Sequence, residues 1–287
     1  MNKDGKYAEL LPTEADIAFY REHGYWVSKK IFSDEEIENA CIGMEDIYAG
    51  NFNRKPAAPF DTWPFRWQFE AGLRKSDFAS FYHPHLAVLR NKRILAHIGA
   101  LLNGTTEIRL WHDQLLYKPS QKGNPESNVG WHTDRMYWKT CTSPNMVTAW
   151  IPFHDVDDQI GTITMIDGSN HWPDNTTELD FFSSDMDGLE AKFRTGGHET
   201  KKVPLFMERG QVSFHHCLTI HGSGPNLTDR PRRALAVHLQ DQTNTYQKYY
   251  YESGDLATHN IDTITNGPDG LPDYRDPAVC PVLFEAD

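Results

Sequence analysis

The sequence predicts a mainly β protein with flanking helices, in which a helical N-terminal third supports a core of short strands. Three observations carry this. Apolar residues recur at helical spacing up to Leu102, behind two helix-capping signatures. After Gly104 the texture changes to short strand-like runs separated by Gly, Pro, Asn and Asp clusters. The hydrophobic content, 39% with 15 Phe, 12 Tyr and 8 Trp, is enough to fill a core without disulfide or metal staples. A chain of 287 residues of this kind is expected to form a single domain, with residues 1–105 as mainly helical support and lid, 106–241 as the β core and 242–287 as a C-terminal cover segment.

Thr13 with Asp16, and Ser33 with Glu36, each pair an N-cap with an acidic residue three positions on. They predict a helix over Glu14–Glu22, broken at Gly24, and a second helix that buries Ile37, Cys41 and Met44, with a strand over Tyr25–Ile31 between them. Residues 50–70 show no period but carry Phe52, Phe60, Trp63, Phe65, Trp67 and Phe69, which suits either a lid or a loop pinned to the core by its own rings. Leu86, Leu89, Ile94, Ile98, Leu101 and Leu102 predict one helix over Pro84–Asn103, stopped by Gly104. Strands are expected over Thr106–Lys118, Met146–Phe153, Thr162–Ile166, Val203–Phe206, Gln211–His216 and Arg233–Gln240.

The formal charge of −12, from 28 basic and 40 acidic residues, repels a phosphate backbone and argues against a nucleic-acid partner. No window approaches the roughly 20 apolar residues of a membrane span, and the polar start MNKDGKYAELL lacks the apolar core of an export signal. Cys41, Cys141, Cys217 and Cys280 have no CxxC spacing, as expected of reduced thiols in the cytoplasm. The expected partner is a small molecule.

Gly130-Trp131-His132-Thr133-Asp134 sets an imidazole and a carboxylate two residues apart, so on an extended backbone both point to one side and can share a metal. With 14 histidines and 40 acids, this pattern alone is weak. His221 heads the segment HGSGPNLTDRPRR, which supplies a third ligand and, 11 residues on, the guanidinium of Arg232. Two histidines and one carboxylate make the facial set of non-haem Fe(II) oxygenases, and an arginine can grip a distal carboxylate bidentately. His215 and His216 are weaker ligand candidates, because neither has a Ser two residues later or an Arg eleven later. Cys217, near this motif, is a possible site of oxidation.

These motifs resemble the phytanoyl-CoA dioxygenase family. FYREHGYWVSKKIFSDEEI is similar to that family's N-terminal segment, MVTAWIPFHDV and GTITMIDGSNHWP to its central strands, and HGSGPNLTDRPRRALAVH to its C-terminal motif. The resemblance implies a double-stranded β-helix, a jelly-roll barrel of cupin type. It implies that His132, Asp134 and His221 bind Fe(II), that Arg232 and Ser223 bind the C5 carboxylate of 2-oxoglutarate, and that Trp150 and, by position only, Gln114 line that co-substrate's site. It also implies O2 as second co-substrate, succinate and CO2 as products, and most simply hydroxylation of an unactivated C–H bond. Related halogenases replace the carboxylate by a small residue, so Asp134 disfavours halogenation.

Strand alternation extends the candidate pocket. If Arg232 points inward, so do Ala234, Ala236, His238 and Gln240; if Gln114 does, so do His112, Leu116 and Lys118. His112, Lys118 and His238 become substrate-binding candidates, with Arg135 and Tyr137 after the metal motif, and residues 60–69 and 244–251 become candidate walls. Beyond Arg230, Arg232 and Arg233 there is no basic cluster for the phosphates of an acyl-CoA, which favours a small metabolite in a biosynthetic tailoring pathway over an acyl-CoA hydroxylase of the same family. Two readings of another class are a cupin-like metal hydrolase or isomerase and a non-catalytic binding barrel; the first leaves Arg232 without a purpose.

Overall fold

Both capping signatures open helices in the computed structural model, which describes residues 7–65, 68–70, 73–120, 127–173, 179–195 and 197–286. Helix α1 (Glu14–His23) starts where Thr13 Oγ accepts from Asp16 N while the Asp16 carboxylate accepts from Thr13 N. Ser33 and Glu36 repeat this at α2 (Asp34–Tyr48), which buries Ile37, Ala40, Met44 and Ile47 and leaves Cys41 at its margin. α1 ends at Gly24, whose φ of 83° favours glycine and where a Cβ would come 2.4 Å from Thr219 Oγ1.

The helix expected over Pro84–Asn103 is two helices, α3 (Pro84–Arg90) and α4 (Arg93–Asn103). Arg90 explains the break. Its guanidinium is buried, donates to Ser80 Oγ at 2.9 Å and lies 4.3 Å over the Phe81 ring, while Asn91 turns its Oδ1 onto Arg90 Nε and Lys92 becomes extended. α5 spans Met186–Thr195.

The strands are β1 (Tyr25–Val27), β2 (Gln68–Glu70), β3 (Leu73–Asp77), β4 (Glu107–Lys118), β5 (Val129–His132), β6 (Val147–Pro152), β7 (Thr164–Ile166), β8 (Lys202–Pro204), β9 (Ser213–His216), β10 (His221–Ser223), β11 (Arg232–Asp241) and β12 (Val282–Glu285). They form two antiparallel sheets. The larger runs β1-β9-β6-β11-β4-β3-β2, with β12 also on β4; the smaller runs β5-β10-β7-β8. β1 is shorter than expected because Ser28 Oγ accepts from Val212 N and takes the next rung of the ladder. The β2–β3 hairpin, β5, β10 and β12 lie where no strand was expected; β5 and β10 are only four and three residues long, too short to show a period.

Alternation along the central strands sorts the two faces of the large sheet. Val147, Ala149, Ile151, Leu235, Val237 and Leu239 pack with Ile37, Leu95 and Ile98 of the helices. Trp150, Leu116, Ala234 and Ala236 cluster instead with Ile163 and with Met165 of the small sheet. Each fully buried aliphatic of this kind contributes about 1.5–3 kcal/mol. His112, Gln114, Leu116 and Lys118 pair with His238, Ala236, Ala234 and Arg232, and the register shifts only beyond them, between His238 and Leu239.

The described part of the aromatic loop is pinned. Phe60 is 1% exposed and stacks on Phe81 with centroids 3.9 Å apart, Trp63 meets Phe78 edge-on, and Phe65 meets Tyr82. Trp67 and the Phe69 side chain lie outside the described residues. Among the described residues no helix is long and apolar enough to cross a membrane.

Candidate active site

β5 and β10 pair so that His132 and His221 stand directly opposite each other. Thr133 is extended, so Asp134, at the start of a 3-10 turn, returns to the side of His132. Gly222 has to be glycine for this crossing, since a Cβ there would meet Val129 O at 2.8 Å. The three ligand atoms lie within 4.8 Å of one another and all three residues are buried.

The hydrogen bonds orient these groups. His132 Nδ1 lies 2.8 Å from Gly130 O and His221 Nδ1 lies 2.9 Å from Thr219 O; a carbonyl only accepts, so both rings carry their proton on Nδ1 and present Nε2 lone pairs to the centre. Burial pushes His132 down to about 4, and burial with the neighbouring imidazoles holds His221 well below its usual range, so both stay neutral. Burial alone raises Asp134, but the hydrogen bond from His215 leads the effects that outweigh it and hold the carboxylate well below its usual range. Asp134 Oδ2 accepts from Thr148 Oγ at 2.5 Å and from His215 Nε2 at 3.2 Å, which leaves Oδ1 as the metal-facing oxygen. Because Thr148 donates to the carboxylate, it accepts from His238 Nδ1 at 2.8 Å. His215 is thus a support of the carboxylate, while Cys217 is a buried thiol raised to about 12 by burial, a poor candidate for oxidation. Two neutral nitrogens and one monodentate carboxylate are a donor set that fits Fe(II).

From this centre a cavity runs to Trp150, Ser223 and Arg232. Arg232 is 3% exposed; its Nη1 donates to Gly161 O at 2.6 Å and Ser223 Oγ at 3.1 Å, its Cζ lies 5.3 Å from the Trp150 ring centre, and its Nε is buried without a partner. The Nε edge of the guanidinium is left for a carboxylate, which fits a 2-oxo dicarboxylate. Lys118, expected among the substrate groups, belongs to this corner instead. It is fully buried behind Ser223 and donates to Ser223 Oγ and Gly224 O, each at 2.6 Å. Ser223 Oγ accepts from both cations, so its own proton remains available to a ligand. Burial and the adjacent Arg232 hold Lys118 well below 10.5, and burial lowers Arg232 to about 10. Among the described residues no carboxylate pairs with either cation.

A second cavity opens on the other side of His132 and Asp134. Tyr137, His238 and Gln114 line it as expected, and Gln114 also lines the first, with Nε2 donating to Asp77 Oδ1 at 3.2 Å. His112 is one layer back, fully buried, its ring parallel to His238 at 5.4 Å and its Nε2 3.4 Å from Asp77 Oδ1. Arg135 does not line the site; its Nη1 donates to Trp138 O at 2.6 Å. Among the described residues of the expected walls only Tyr251 lines this cavity; Phe60, Trp63 and Phe65 pack elsewhere. Sequence reading missed Lys75, Asp77, Phe181, Phe182, His259, Asn260 and Thr148. Only Thr148 carried a signal, being two residues from Trp150 on the same strand.

A family profile described as Phytanoyl-CoA dioxygenase (PhyH) matches residues 20–234. The peroxisomal phytanoyl-CoA dioxygenase of Bos taurus is 24% identical over 242 residues, covering 79% of this chain and 68% of its own length. The ectoine dioxygenase of Bordetella bronchiseptica is 21% identical over 258 residues, covering 84% and 79%. Among solved structures, the carbocyclase SnoK of nogalamycin biosynthesis, described as non-heme and alpha ketoglutarate dependent, has a fold similar to this chain's, with a TM-score of 0.68 at 20% identity over 94% of this chain and 96% of its own. The epimerase SnoN, solved with Fe3+, alpha ketoglutarate and nogalamycin RO, gives 0.68 at 19% identity over 94% and 98%.

Proposed function

This chain belongs to the phytanoyl-CoA dioxygenase family and is an Fe(II)/2-oxoglutarate-dependent dioxygenase, and from that premise we propose that it hydroxylates an unactivated C–H bond of a small metabolite in a biosynthetic tailoring pathway. The observation that carries this reading is the junction of three converging ligand atoms with a corner of two buried basic side chains that, among the described residues, no carboxylate joins. His132, Asp134 and His221 hold the iron; Arg232 and Ser223 hold the C5 carboxylate, Trp150 and Gln114 line the co-substrate's cavity, and Lys118 positions Ser223. With iron and 2-oxoglutarate bound, O2-driven decarboxylation to succinate and CO2 supplies the oxidising power. The protein's own part is to fix the ligands, keep the corner dry and present the C–H bond from the second cavity.

The reading extends to architecture: two facing antiparallel sheets with the site between them support a double-stranded β-helix, formed as one domain. Four free cysteines support a reducing, cytoplasmic setting. Family membership leaves the substrate open, since its relatives by name act on phytanoyl-CoA and on ectoine. The second cavity disfavours an acyl-CoA: Asp77 is at its wall, and among its described lining residues Lys75 is the lone lysine or arginine.

Anaerobic addition of Fe(II) and then 2-oxoglutarate tests the assignment. A weak visible charge-transfer band is expected in the wild type and its loss in Arg232→Ala; a wild type without the band, or without succinate release in air, sinks the reading in favour of a hydrolase or a binding barrel.

A further inference from the structure

The second cavity has a polar wall and an aromatic mouth. At the wall, the Asp77 carboxylate accepts from Gln114 Nε2 at 3.2 Å and from Asn260 Nδ2 at 2.5 Å, and its side chain is 8% exposed. Each amide gives one N–H to Asp77, which turns the nitrogen inward and leaves the carbonyl oxygen and the second N–H for a ligand. Donors stand beside them. His259 Nδ1 accepts from Ile261 N, which places the ring proton on Nε2, and Lys75 reaches over the Phe181 ring at 5.3 Å with no ion pair among the described residues. Lys75 and Asp77 cancel in charge, and burial keeps His238 and His259 neutral. At the mouth, Tyr137, Phe182 and Tyr251 are 39, 38 and 45% exposed, a cluster of large rings left open to solvent beside a cavity.

Building on the oxygenase reading above, we infer that this cavity binds a neutral, hydroxyl-rich ring, a glycoside or cyclitol, whose hydroxyls bridge the amide, carboxylate and ammonium groups of the wall while an apolar ring face stacks on the aromatic mouth. Hydroxyls suit this wall because each both donates and accepts, which matches acceptors interleaved with donors at nearly zero net charge. An alkyl chain would bury the carbonyl oxygens of Gln114 and Asn260 without water or partners. A phosphorylated ligand would meet one lysine where a cluster of cations is needed. The mouth rings offer flat apolar surface that costs little entropy to order.

The test uses the full-length protein loaded anaerobically with Fe(II) and 2-oxoglutarate. The ligands are phenyl and methyl glycosides of hexoses and pentoses and myo-inositol, with phenol and cyclohexanol as hydroxyl-poor counterparts and decanoyl-CoA as the acyl competitor. Calorimetry reads binding, and the visible band reads the iron and co-substrate separately. At least one hydroxylated ring is expected to bind 100-fold tighter than its counterpart, because a site built to hydrogen-bond hydroxyls rejects analogues without them. Asp77→Asn and Asn260→Ala should each weaken that binding at least 10-fold while 2-oxoglutarate affinity stays within about twofold. Decanoyl-CoA or cyclohexanol binding as tightly as the best hydroxylated ring overturns the inference, as does a panel in which no hydroxylated ring binds. Loss of the band itself counts against the oxygenase reading, whereas an intact band with silent hydroxylated rings counts against this inference alone.

Discussion

On one side of His132 and Asp134 the interior ends in two cations, Lys118 and Arg232, with no carboxylate beside them among the described residues; on the other it ends in Lys75 and Asp77, opposite charges two residues apart, wrapped in amides and imidazoles. The first corner is electrostatically incomplete and stays so until an anion enters. The second is already balanced and has only hydrogen bonds to offer. Both border the inward-facing rows of β4 and β11, with Lys118 and Arg232 at one end, Gln114 and Ala236 in the middle and His238 beyond, but the charges of the second come from β3, which carries Lys75 and Asp77. The unbalanced end suits a fixed dianionic co-substrate, the balanced one a ligand chosen by shape and hydroxyl pattern.

The largest expected effect lies at the incomplete corner. Arg232→Ala removes the guanidinium fork from a buried carboxylate, a loss of about 3–4 kcal/mol, so KM for 2-oxoglutarate should rise roughly 100- to 1000-fold in succinate assays. Binding of ligands in the second cavity, read by calorimetry, should change little; an equal loss there would mean that the two cavities are one site. Lys118→Met should be milder and two-sided. KM for 2-oxoglutarate rises about 10-fold as Ser223 loses a donor, but the midpoint of thermal unfolding without 2-oxoglutarate should rise by a few degrees, because a buried cation without a counter-ion is replaced by an apolar chain of similar length. A lower midpoint would show that the hydrogen bonds to Ser223 and Gly224 outweigh the desolvation of Lys118.

At the centre the comparison turns on Thr148, which ties Asp134 to His238 and so links the iron ligand to the second cavity. Thr148→Val keeps the shape and deletes one donor to Oδ2; iron affinity, measured by competition with a chelator, should fall about 10-fold. An unchanged affinity would mean that His215 alone holds the carboxylate.

Legibility in the sequence followed periodicity. The helices under Thr13 and Ser33 and the inward row 112, 114, 116, 118 could be read, because capping pairs and strict alternation leave a local record. The role of Lys118 could not, since alternation gives the face of the sheet and not the depth; its place beside Arg232 depends on the register between β4 and β11, residues more than a hundred positions apart. Arg90 broke a helix that its apolar spacing favoured, through a buried partner ten residues away that no period encodes. The walls of the second cavity come from β3, the 180–182 turn and the 258–260 segment, which have little periodicity and meet only in the fold.

The smallest effect is a pH dependence that separates the two ends. In the protein without ligand, burial and Arg232 hold Lys118 well below the usual lysine range, so it sheds its proton more readily than an exposed lysine. A bound carboxylate favours the charged ammonium and moves that value up. Between the two values binding must take up a proton, so 2-oxoglutarate affinity falls as pH rises, by at most 10-fold per unit, and is flat below the lower value where Lys118 is already charged. Arg232, lowered only to about 10, contributes no slope near neutrality. Anaerobic calorimetry between pH 6 and 9 in two buffers of different ionisation enthalpy should detect this proton uptake in the wild type and its absence in Lys118→Met. If the slope survives in Lys118→Met, the proton belongs to another group, and Lys118 keeps one protonation state whether or not the co-substrate is bound.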